Sequence, residues 1–498
     1  MLSHWRRSIA RFPLVLLCAV SSWAVAGEPL NEPPGEPWPG GNEPSLSELT
    51  ELVNAAEDLY ALERTEEFLE AFERGEDREH IIVFQDDIDA GAYDLDRLFQ
   101  SGDALFEHEF RDEDGFGSAA GSALRRVHTP TRGGLDTFSC AGCHSQGGPD
   151  GAGSAAENAF VNGDGISIAS ANVRNPPHVL GLGLVQGLAH EMTIELGLLR
   201  IEAIEQAGLS GASRTAALIT KGVSFGELVA HPDGSLDLSG VVGVSPDLIV
   251  RPFGWKGDVA RLRRFVEGAA RIHFGVQAHT LALANQEDPD GSHLGFGPWF
   301  DPDEDGVQRE LEEGTLTAGA IYLALLEVPV MLAPSDPDLA DRWARGSATF
   351  DDVGCDSCHT RSLHLDYSTF AEVPDSDTAL PIEFNLLSDG EAPRGSSVVE
   401  LFSDLKRHDM GEELADEFEN EPGIARSEWL TRPLWGLAET SPFLHDGRAT
   451  TLQEAIMLHG GEGADARDAY AELEPEAQRE LALFLLSLTR TPRIRIPR

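Results

Sequence analysis

Cys140-Ala-Gly-Cys-His144 is the stretch that decides the fold, and it recurs as Cys355-Asp-Ser-Cys-His359. Cys-x-x-Cys-His is the attachment signature of c-type haem, because both thiols can form thioethers to one porphyrin edge while the histidine binds the iron. A zinc site would need a second cysteine pair or a nearby histidine pair, and a disulfide gives no reason for the histidine after each motif. The sequence therefore predicts two covalent haems, attached at Cys140, Cys143, Cys355 and Cys358, with His144 and His359 as proximal ligands.

The composition of the 498-residue chain restricts its partners. It carries a formal net charge of −48, from 85 acidic and 37 basic residues. This excess argues against binding to nucleic acid or to anionic membranes, whose phosphates would repel it. It favours a small basic electron-transfer protein, a cytochrome c or a cupredoxin, although solubility in a salty or acidic medium would also explain the charge.

The first 26 residues are typical of an export signal. Arg6 and Arg7 form a basic start, an apolar run follows over Phe12–Val20, and Ala24-Val-Ala26 precedes a cleavage point. The apolar run is too short to span a bilayer permanently, and Cys18 would be removed with the signal. We therefore expect a periplasmic protein without a membrane span, whose four remaining cysteines all belong to the two haem motifs.

The pattern of apolar residues and prolines predicts a mainly α fold with two cytochrome-c-like haem domains in tandem, joined by long loops. Residues 27–93 indicate a proline-rich linker followed by an N-terminal helical extension. The N-terminal haem domain is predicted over 94–300, with an insertion at about 190–250. The C-terminal haem domain is predicted over 341–498.

Two short sequences indicate an internal duplication. Gly102-Asp-Ala-Leu-Phe106 precedes the first haem motif, and Gly346-Ser-Ala-Thr-Phe350 precedes the second. Downstream, Arg174-Asn-Pro-Pro177 in the first copy matches Thr431-Arg-Pro-Leu-Trp435 in the second. Each copy therefore predicts a helix before the cysteines and an extended arginine-proline segment after them.

Residues 301–340 combine an acidic loop with a connecting helix. Counting Asp301 as position one, carboxylates fall at positions one, three, five and twelve (Asp301, Asp303, Asp305 and Glu312), and Gly306 stands at position six. This is the ligand spacing of a calcium loop, although Arg309 at position nine and Pro302 depart from the pattern. Bound calcium and a solvated acidic turn remain open alternatives.

The motifs together resemble a known family. The two haem motifs, Phe253-Gly-Trp-Lys256, Asp404-Leu-Lys-Arg-His-Asp-Met-Gly411 and Leu444-His-Asp-Gly-Arg-Ala449 are similar to those of the di-haem oxidoreductases, a peroxidase-like family distantly related to bacterial dihaem cytochrome c peroxidases. The resemblance covers about residues 95–498. It implies that the C-terminal haem transfers electrons and that the N-terminal haem reduces hydrogen peroxide.

The resemblance also implies roles for individual residues. His459 is expected to be the distal iron ligand of the C-terminal haem, with Met457 and Met410 as rivals. Trp255 falls where the relatives keep a tryptophan between the haems, where it assists electron transfer. Lys256 is expected to hydrogen-bond a haem propionate.

His273 falls where the peroxidase relatives carry a catalytic glutamate that moves a proton between the two peroxide oxygens. A histidine can shuttle a proton, but it can also bind the iron and close the site. Glu191, His178 and His190 are further candidates on the distal side. A haem oxidase or oxygenase acting on an organic or protein substrate, and a non-enzymatic electron carrier, therefore stay open as alternatives to a peroxidase.

Overall fold

The computed structural model describes residues 81–117, 136–164, 166–278, 310–376, 379–387, 397–418 and 423–490. The predicted signal, linker and most of the extension lie outside this part, as do Asp301, Asp303 and Asp305 of the calcium prediction. The described residues belong to one compact unit. Its α-helices run, in chain order, over α1 Gln85–Asp89, α2 Leu95–Glu107, α3 Leu182–Ser210, α4 Leu262–Ala269, α5 Glu313–Leu325, α6 Pro337–Asp352, α7 Leu452–Met457, α8 Ala464–Ala471 and α9 Pro475–Leu485.

The strands of the described part are short and pair antiparallel. They are β1 Ala159–Val161, β2 Asn172–Arg174, β3 Arg214–Thr220, β4 Val223–Ala230, β5 Leu236–Asp237, β6 Val330–Met331, β7 Leu363–Leu365, β8 Thr369–Glu372, β9 Ile382–Asn385, β10 Ser397–Val399, β11 Arg407–Asp409, β12 Glu428–Leu430 and β13 Leu488–Thr489. They form the pairs β1–β2, β7–β10, β11–β12, β6–β13 and β8–β9, and the three-stranded sheet β3–β4–β5. The structure is 38% helix and 16% strand, so the mainly α prediction is corrected to a mixed fold.

The predicted insertion at about 190–250 contains the largest sheet. Along β4, Val223, Phe225, Leu228 and Ala230 are buried and the residues between them are more exposed. This alternation is typical of a strand with one face on the core, and here that face packs on α3. Helix α3 runs between Gly181 and Gly211, which take φ angles of +70° and +65°, a conformation that glycine adopts without steric cost.

Helix α5 is the centre of the first half of the molecule. Its residues are buried from Glu313 through Ala324, as expected for a helix that is apolar on every side. Helices α1, α2, α3 and α4 all pack against it. Glu312, the last residue of the calcium prediction, is buried immediately before this helix, and calcium binding stays a prediction.

The internal duplication extends to the packing of the helix that precedes each haem motif. Gly102 on α2 lies against the backbone of Ala318 on α5, and Gly346 on α6 lies against the backbone of Glu480 on α9. A Cβ atom at either position would collide with the facing helix. The shared glycine therefore allows the same close helix contact in both copies, and it places Phe106 and Phe350 beside the two cysteine motifs.

Within the described residues, no helix is long and apolar enough to cross a membrane. The apolar core around α3 and α5 includes Cys140 at its edge, and a separate cluster of Phe350, Phe402 and Phe484 packs against Cys355. Each cysteine motif therefore stands at its own hydrophobic cluster.

Candidate haem sites

The first cysteine motif opens into a large cavity. Cys140, Cys143 and His144 line a space of about 430 Å³ whose walls are mostly apolar, with Leu105, Phe106, Phe253, Phe265, Phe274 and Leu323 among the lining residues. Neither thiol forms a disulfide with a described residue, and burial raises the pKa of Cys140 to about 12. An apolar cavity with two adjacent thiols and an imidazole on its wall fits a c-type haem.

The imidazole of His144 is oriented by the backbone. Its Nδ1 donates a hydrogen bond to the carbonyl of Gly151 over 3.2 Å, which leaves Nε2 for an iron atom. Burial lowers the pKa of His144 to about 4, so the ring is neutral, as ligation requires. The loop that carries Gly151 is held by Asp150, which accepts a 2.7 Å hydrogen bond from the Tyr322 hydroxyl.

His273 lines the same cavity and is fixed by an aspartate. It lies in the π-helical turn Ala270–Phe274 that continues α4, a distortion that is frequent at functional sites. Its Nδ1 is 2.7 Å from Oδ2 of Asp136, and the Asp136 amide donates to the His273 carbonyl over 3.0 Å. The Nδ1–H bond to a carboxylate makes Nε2 the basic nitrogen, and His273 lies close enough to His144 to lower its pKa.

Sequence reasoning missed Asp136. It is almost fully buried, with 1% of its side chain exposed, and it stands 137 residues before His273. No local motif connects the two residues. Only their proximity in the fold identifies the pair.

Trp255 lies in the wall of this cavity, and its indole Nε1 donates to the Asn175 carbonyl over 2.8 Å. Its ring meets the edge of His445 at a centroid distance of 6.4 Å, and His445 stacks on Trp429 at 3.8 Å. Cross-strand pairing then sets Trp429 opposite His408. A series of aromatic rings thus leads from the first cavity towards the second cysteine motif.

Lys256 does not have the role that the sequence predicts. Its ammonium donates to the carbonyls of Ala425, Arg426 and Glu428 at 3.2, 2.7 and 2.9 Å, and it lies 3.3 Å from Asp416. A lysine has three N–H donors, and the carbonyls already use all of them. The prediction that Lys256 binds a haem propionate is therefore corrected: this side chain ties the loop before β12 to the cavity wall.

Glu191 is outside the cavity lining. Its carboxylate accepts from the amides of Asp366 and Tyr367 at 3.0 and 2.7 Å and forms a 2.6 Å ion pair with Lys221. This arrangement joins α3 to the turn after β7 and occupies both carboxylate oxygens. A structural role explains the burial of Glu191 better than the predicted catalytic one.

The two other histidine candidates differ in position. His178 lines the cavity, but its Nε2 donates to the Trp435 carbonyl over 3.0 Å while its Nδ1 accepts from the Leu180 amide. Both ring nitrogens are therefore engaged, and neither has a lone pair to give an iron atom. His190 is exposed on α3, away from the cavity lining.

At the second cysteine motif, the backbone orients two histidines in the same way: His359 of the motif and His459. Nδ1 of His359 donates to the Phe402 carbonyl over 3.2 Å, and Nδ1 of His459 donates to the Ala455 carbonyl over 2.8 Å. Burial lowers the pKa of both rings, to about 4 for His359, where His459 contributes to the shift. Two nearby neutral imidazoles, each with Nε2 available, fit a six-coordinate iron. Met457 is 41% exposed, whereas Met410 lies beside His459 near Gly463.

His408 stands next to this second motif. Its Nδ1 is 3.8 Å from Sγ of Cys358, and carboxylates of Asp404 and Glu462 lie 2.8 Å from its two nitrogens. Burial lowers its pKa, but the hydrogen bonds to Asp404 and Cys358 and the negative charges of both groups together outweigh burial and raise the pKa to about 10. His408 is therefore a cation beside the attachment cysteine.

Comparison with known proteins identifies the class that this geometry defines. Residues 320–488 match the profile of the family described as "Di-haem oxidoreductase, putative peroxidase". The match covers the C-terminal part of the chain, and it confirms the resemblance found in the sequence. A search of curated proteins found no match.

Three solved structures are similar to this chain. Hydrazine synthase of Kuenenia stuttgartiensis shares 14% identity, with a TM-score of 0.32, over 78% of this chain and 87% of its own. The diheme peroxidase BthA of Burkholderia thailandensis shares 18% identity, with a TM-score of 0.27, over 48% of this chain and 66% of its own. A MauG-like protein associated with microbial copper homeostasis shares 15% identity, with a TM-score of 0.24, over 48% and 68% of the two chains.

Proposed function

We propose that the protein is a periplasmic c-type dihaem peroxidase. Hydrogen peroxide, two electrons and two protons would form two molecules of water at the haem attached to Cys140 and Cys143. The haem attached to Cys355 and Cys358 would supply the electrons. The observation that carries this proposal is the cavity at Cys140–His144, with the Asp136–His273 pair in its wall.

The two histidine arrangements support a division of labour. At the second site, His359 and His459 both leave Nε2 free while Nδ1 is held by a carbonyl, which suits a closed iron that only exchanges electrons. At the first site, His273 is tied to Asp136 and lines the apolar cavity that fits the haem. We assign catalysis to the first site for this reason.

The bound haem would supply the redox chemistry, and the chain would supply orientation and proton transfer. His144 would hold the iron through Nε2, and the apolar wall would exclude bulk water. His273 Nε2 would take the proton from one peroxide oxygen and deliver it to the other, while Asp136 stabilises the charged imidazole. A glutamate performs this proton transfer in the peroxidase relatives.

Trp255 and the external partner complete the scheme. Trp255 would assist electron transfer between the sites, which agrees with its place in the cavity wall and its contact with His445. The net charge of −48 would steer a small basic donor, a cytochrome c or cupredoxin, to the surface at low ionic strength. The signal peptide would be cleaved near Ala26 on export.

The central test is peroxide turnover by the diheme protein with a chemical or protein reductant. H273A is expected to lower kcat by about 10²–10⁴-fold, the usual contribution of a general acid–base group, with both haems still attached. H190A is the matched control, because His190 is exposed, and it should keep full activity. Absence of peroxide turnover by the wild type in every reduction state would contradict the proposal.

A second function is favoured by one specific observation. The carboxylate at Nδ1 also strengthens His273 as an iron ligand, and ligation would make the protein an electron carrier. Electron paramagnetic resonance separates the two functions: a high-spin signal in the oxidised or half-reduced protein means an open site, whereas two low-spin haems in every state mean a carrier. An open site that does not turn over peroxide would instead support an oxidase or oxygenase.

A further inference from the structure

Arg432 is a cation in the wall of the first cavity, in the segment after β12. Its Cζ lies 5.5 Å from the ring centroid of Trp255. Within the described ranges of the chain, the structure gives this guanidinium no hydrogen bond and no ion pair. Burial alone lowers the pKa of Arg432 to about 10, so the side chain is still a cation at neutral pH.

Other cations of the same cavity have protein partners. Arg174 binds Asp416 through two hydrogen bonds of 2.7 Å, and Arg264 pairs with Asp375 over 2.7 Å. Lys256 donates to three backbone carbonyls, as described above. Arg432 thus differs from these neighbours, because no carboxylate or carbonyl among the described residues binds it.

A buried charge without a partner is costly, and proteins retain one where a counter-ion completes the site. A guanidinium presents two parallel N–H donors that match a carboxylate. The occupant of the cavity is therefore expected to carry a carboxylate that reaches Arg432. Haem meets this requirement, because its propionates lie at the edge opposite the vinyl groups that bind cysteines.

We propose that Arg432 is the counter-ion of a propionate of the haem attached at Cys140 and Cys143, the role that the sequence had suggested for Lys256. This inference rests on the proposed function only in requiring a haem at the first site. The charge of Arg432 would then stabilise the propionate and raise the reduction potential of this haem.

The test compares R432Q with R264Q in the purified diheme protein. R264Q removes the same charge at the same cavity, but Arg264 is already neutralised by Asp375 and Glu267. The readouts are the propionate bending band in resonance Raman spectra and the reduction potential of each haem by spectroelectrochemistry. In R432Q we expect the band of one haem to shift and its potential to fall, whereas R264Q should resemble the wild type.

R432K keeps the charge without the planar fork, so a smaller shift of the potential and of the Raman band is expected. R432K also replaces R432Q in both measurements if R432Q does not retain haem. An unchanged propionate band in R432Q or R432K would overturn the inference. If the band is unchanged and the affinity for added benzoate falls, Arg432 binds an external carboxylate instead of the propionate. Pyridine haemochrome analysis, which counts the haems, separates the two proposals. Fewer than two haems in the wild-type protein would contradict the proposed function. Two haems in R432Q with unaltered spectra would contradict only the Arg432 inference.

Discussion

The two haem motifs are the same pentapeptide pattern in different surroundings. Both proximal histidines, His144 and His359, donate Nδ1–H to a backbone carbonyl at 3.2 Å. The second histidine of each site is held differently, because His459 donates to a carbonyl of α7, the helix that precedes it, whereas His273 is held by a buried carboxylate. In the proposed function, the pentapeptide would attach each haem, and the second histidine would decide whether the iron conducts or reacts.

The helix contacts repeat more closely than the distal residues do. Gly102 and Gly346 allow the same close packing before each motif, so the duplicated part is the scaffold under the porphyrin. The parts that differ are the π-helical turn with His273 and the loop with His459. The two copies therefore differ at the residues to which the proposed function assigns different roles.

Removal of the attachment cysteines should give the largest effect on this comparison. C140S/C143S is expected to lose one haem and all peroxide turnover, because both thioethers and the seat of the reactive iron are lost. C355S/C358S is the mirror variant and should lose the other haem. Mass spectrometry of the exported proteins counts the attached haems, and an unchanged number of haems in either variant would disprove covalent attachment at that motif.

Replacement of His459 should make the second site resemble the first. H459A is expected to convert a low-spin haem into a high-spin one, because the distal ligand is removed. H459M should stay low-spin at a higher reduction potential, since a thioether replaces an imidazole. If both variants keep the wild-type spectrum, Met410 or another residue is the ligand.

Buried and exposed ion pairs near the two sites should differ in their effect on stability. Arg263 is fully buried near the start of α4 and pairs with Glu372 at 3.1 Å and Asp375 at 2.9 Å. R263L should lower the free energy of unfolding by about 3–5 kcal/mol, because it leaves buried carboxylates without a counter-ion. R479L is the control, because Arg479 and its partner Glu476 are 62% and 56% exposed, and an exposed ion pair contributes little to stability. Equal losses in thermal or denaturant unfolding would refute the distinction.

Asp136 should matter at the first site alone. D136N keeps the size of the side chain but loses the charge that stabilises a protonated His273, so kcat is expected to fall about 10–100-fold, the usual effect of removing such a supporting group. D136E should recover part of the rate. The low-spin spectrum of the second haem is the internal control, and a change there would mean that the variant acts through the overall fold.

The smallest expected effect is a dependence of stability on pH. Burial raises the pKa of Glu372 from 4.5 to about 7, against the opposing charges of Arg263 and Arg261. The folded state therefore keeps this proton longer than the unfolded state, and stability falls as pH rises from about 4.5 to 7, by at most about 1.4 kcal/mol per pH unit. E372Q should flatten this part of the curve in denaturant unfolding; an equal slope in both proteins would assign the dependence to other groups.

Much of the protein could be read from its sequence. The two Cys-x-x-Cys-His motifs and the glycine–phenylalanine repeat before each motif depend on residues close together in the chain, where covalent geometry and helix periodicity limit the possibilities. The role of Trp255, by contrast, was inferred from the family resemblance. The strands of the 190–250 segment were missed, because residues such as Val223 and Leu228 become the buried face of a strand only once α3 lies against them.

The attachment of two haems, one for each pentapeptide, is thus a prediction from the sequence alone, since thiol spacing requires no knowledge of distant residues. Tertiary structure alone decided which polar groups meet across each site. It joined Asp136 to His273 and gave Lys256 three backbone carbonyls, while Arg432 was left facing the cavity. Hydrogen bonds and charge pairs act over a few ångströms, and the chain brings those partners together from positions more than a hundred residues apart.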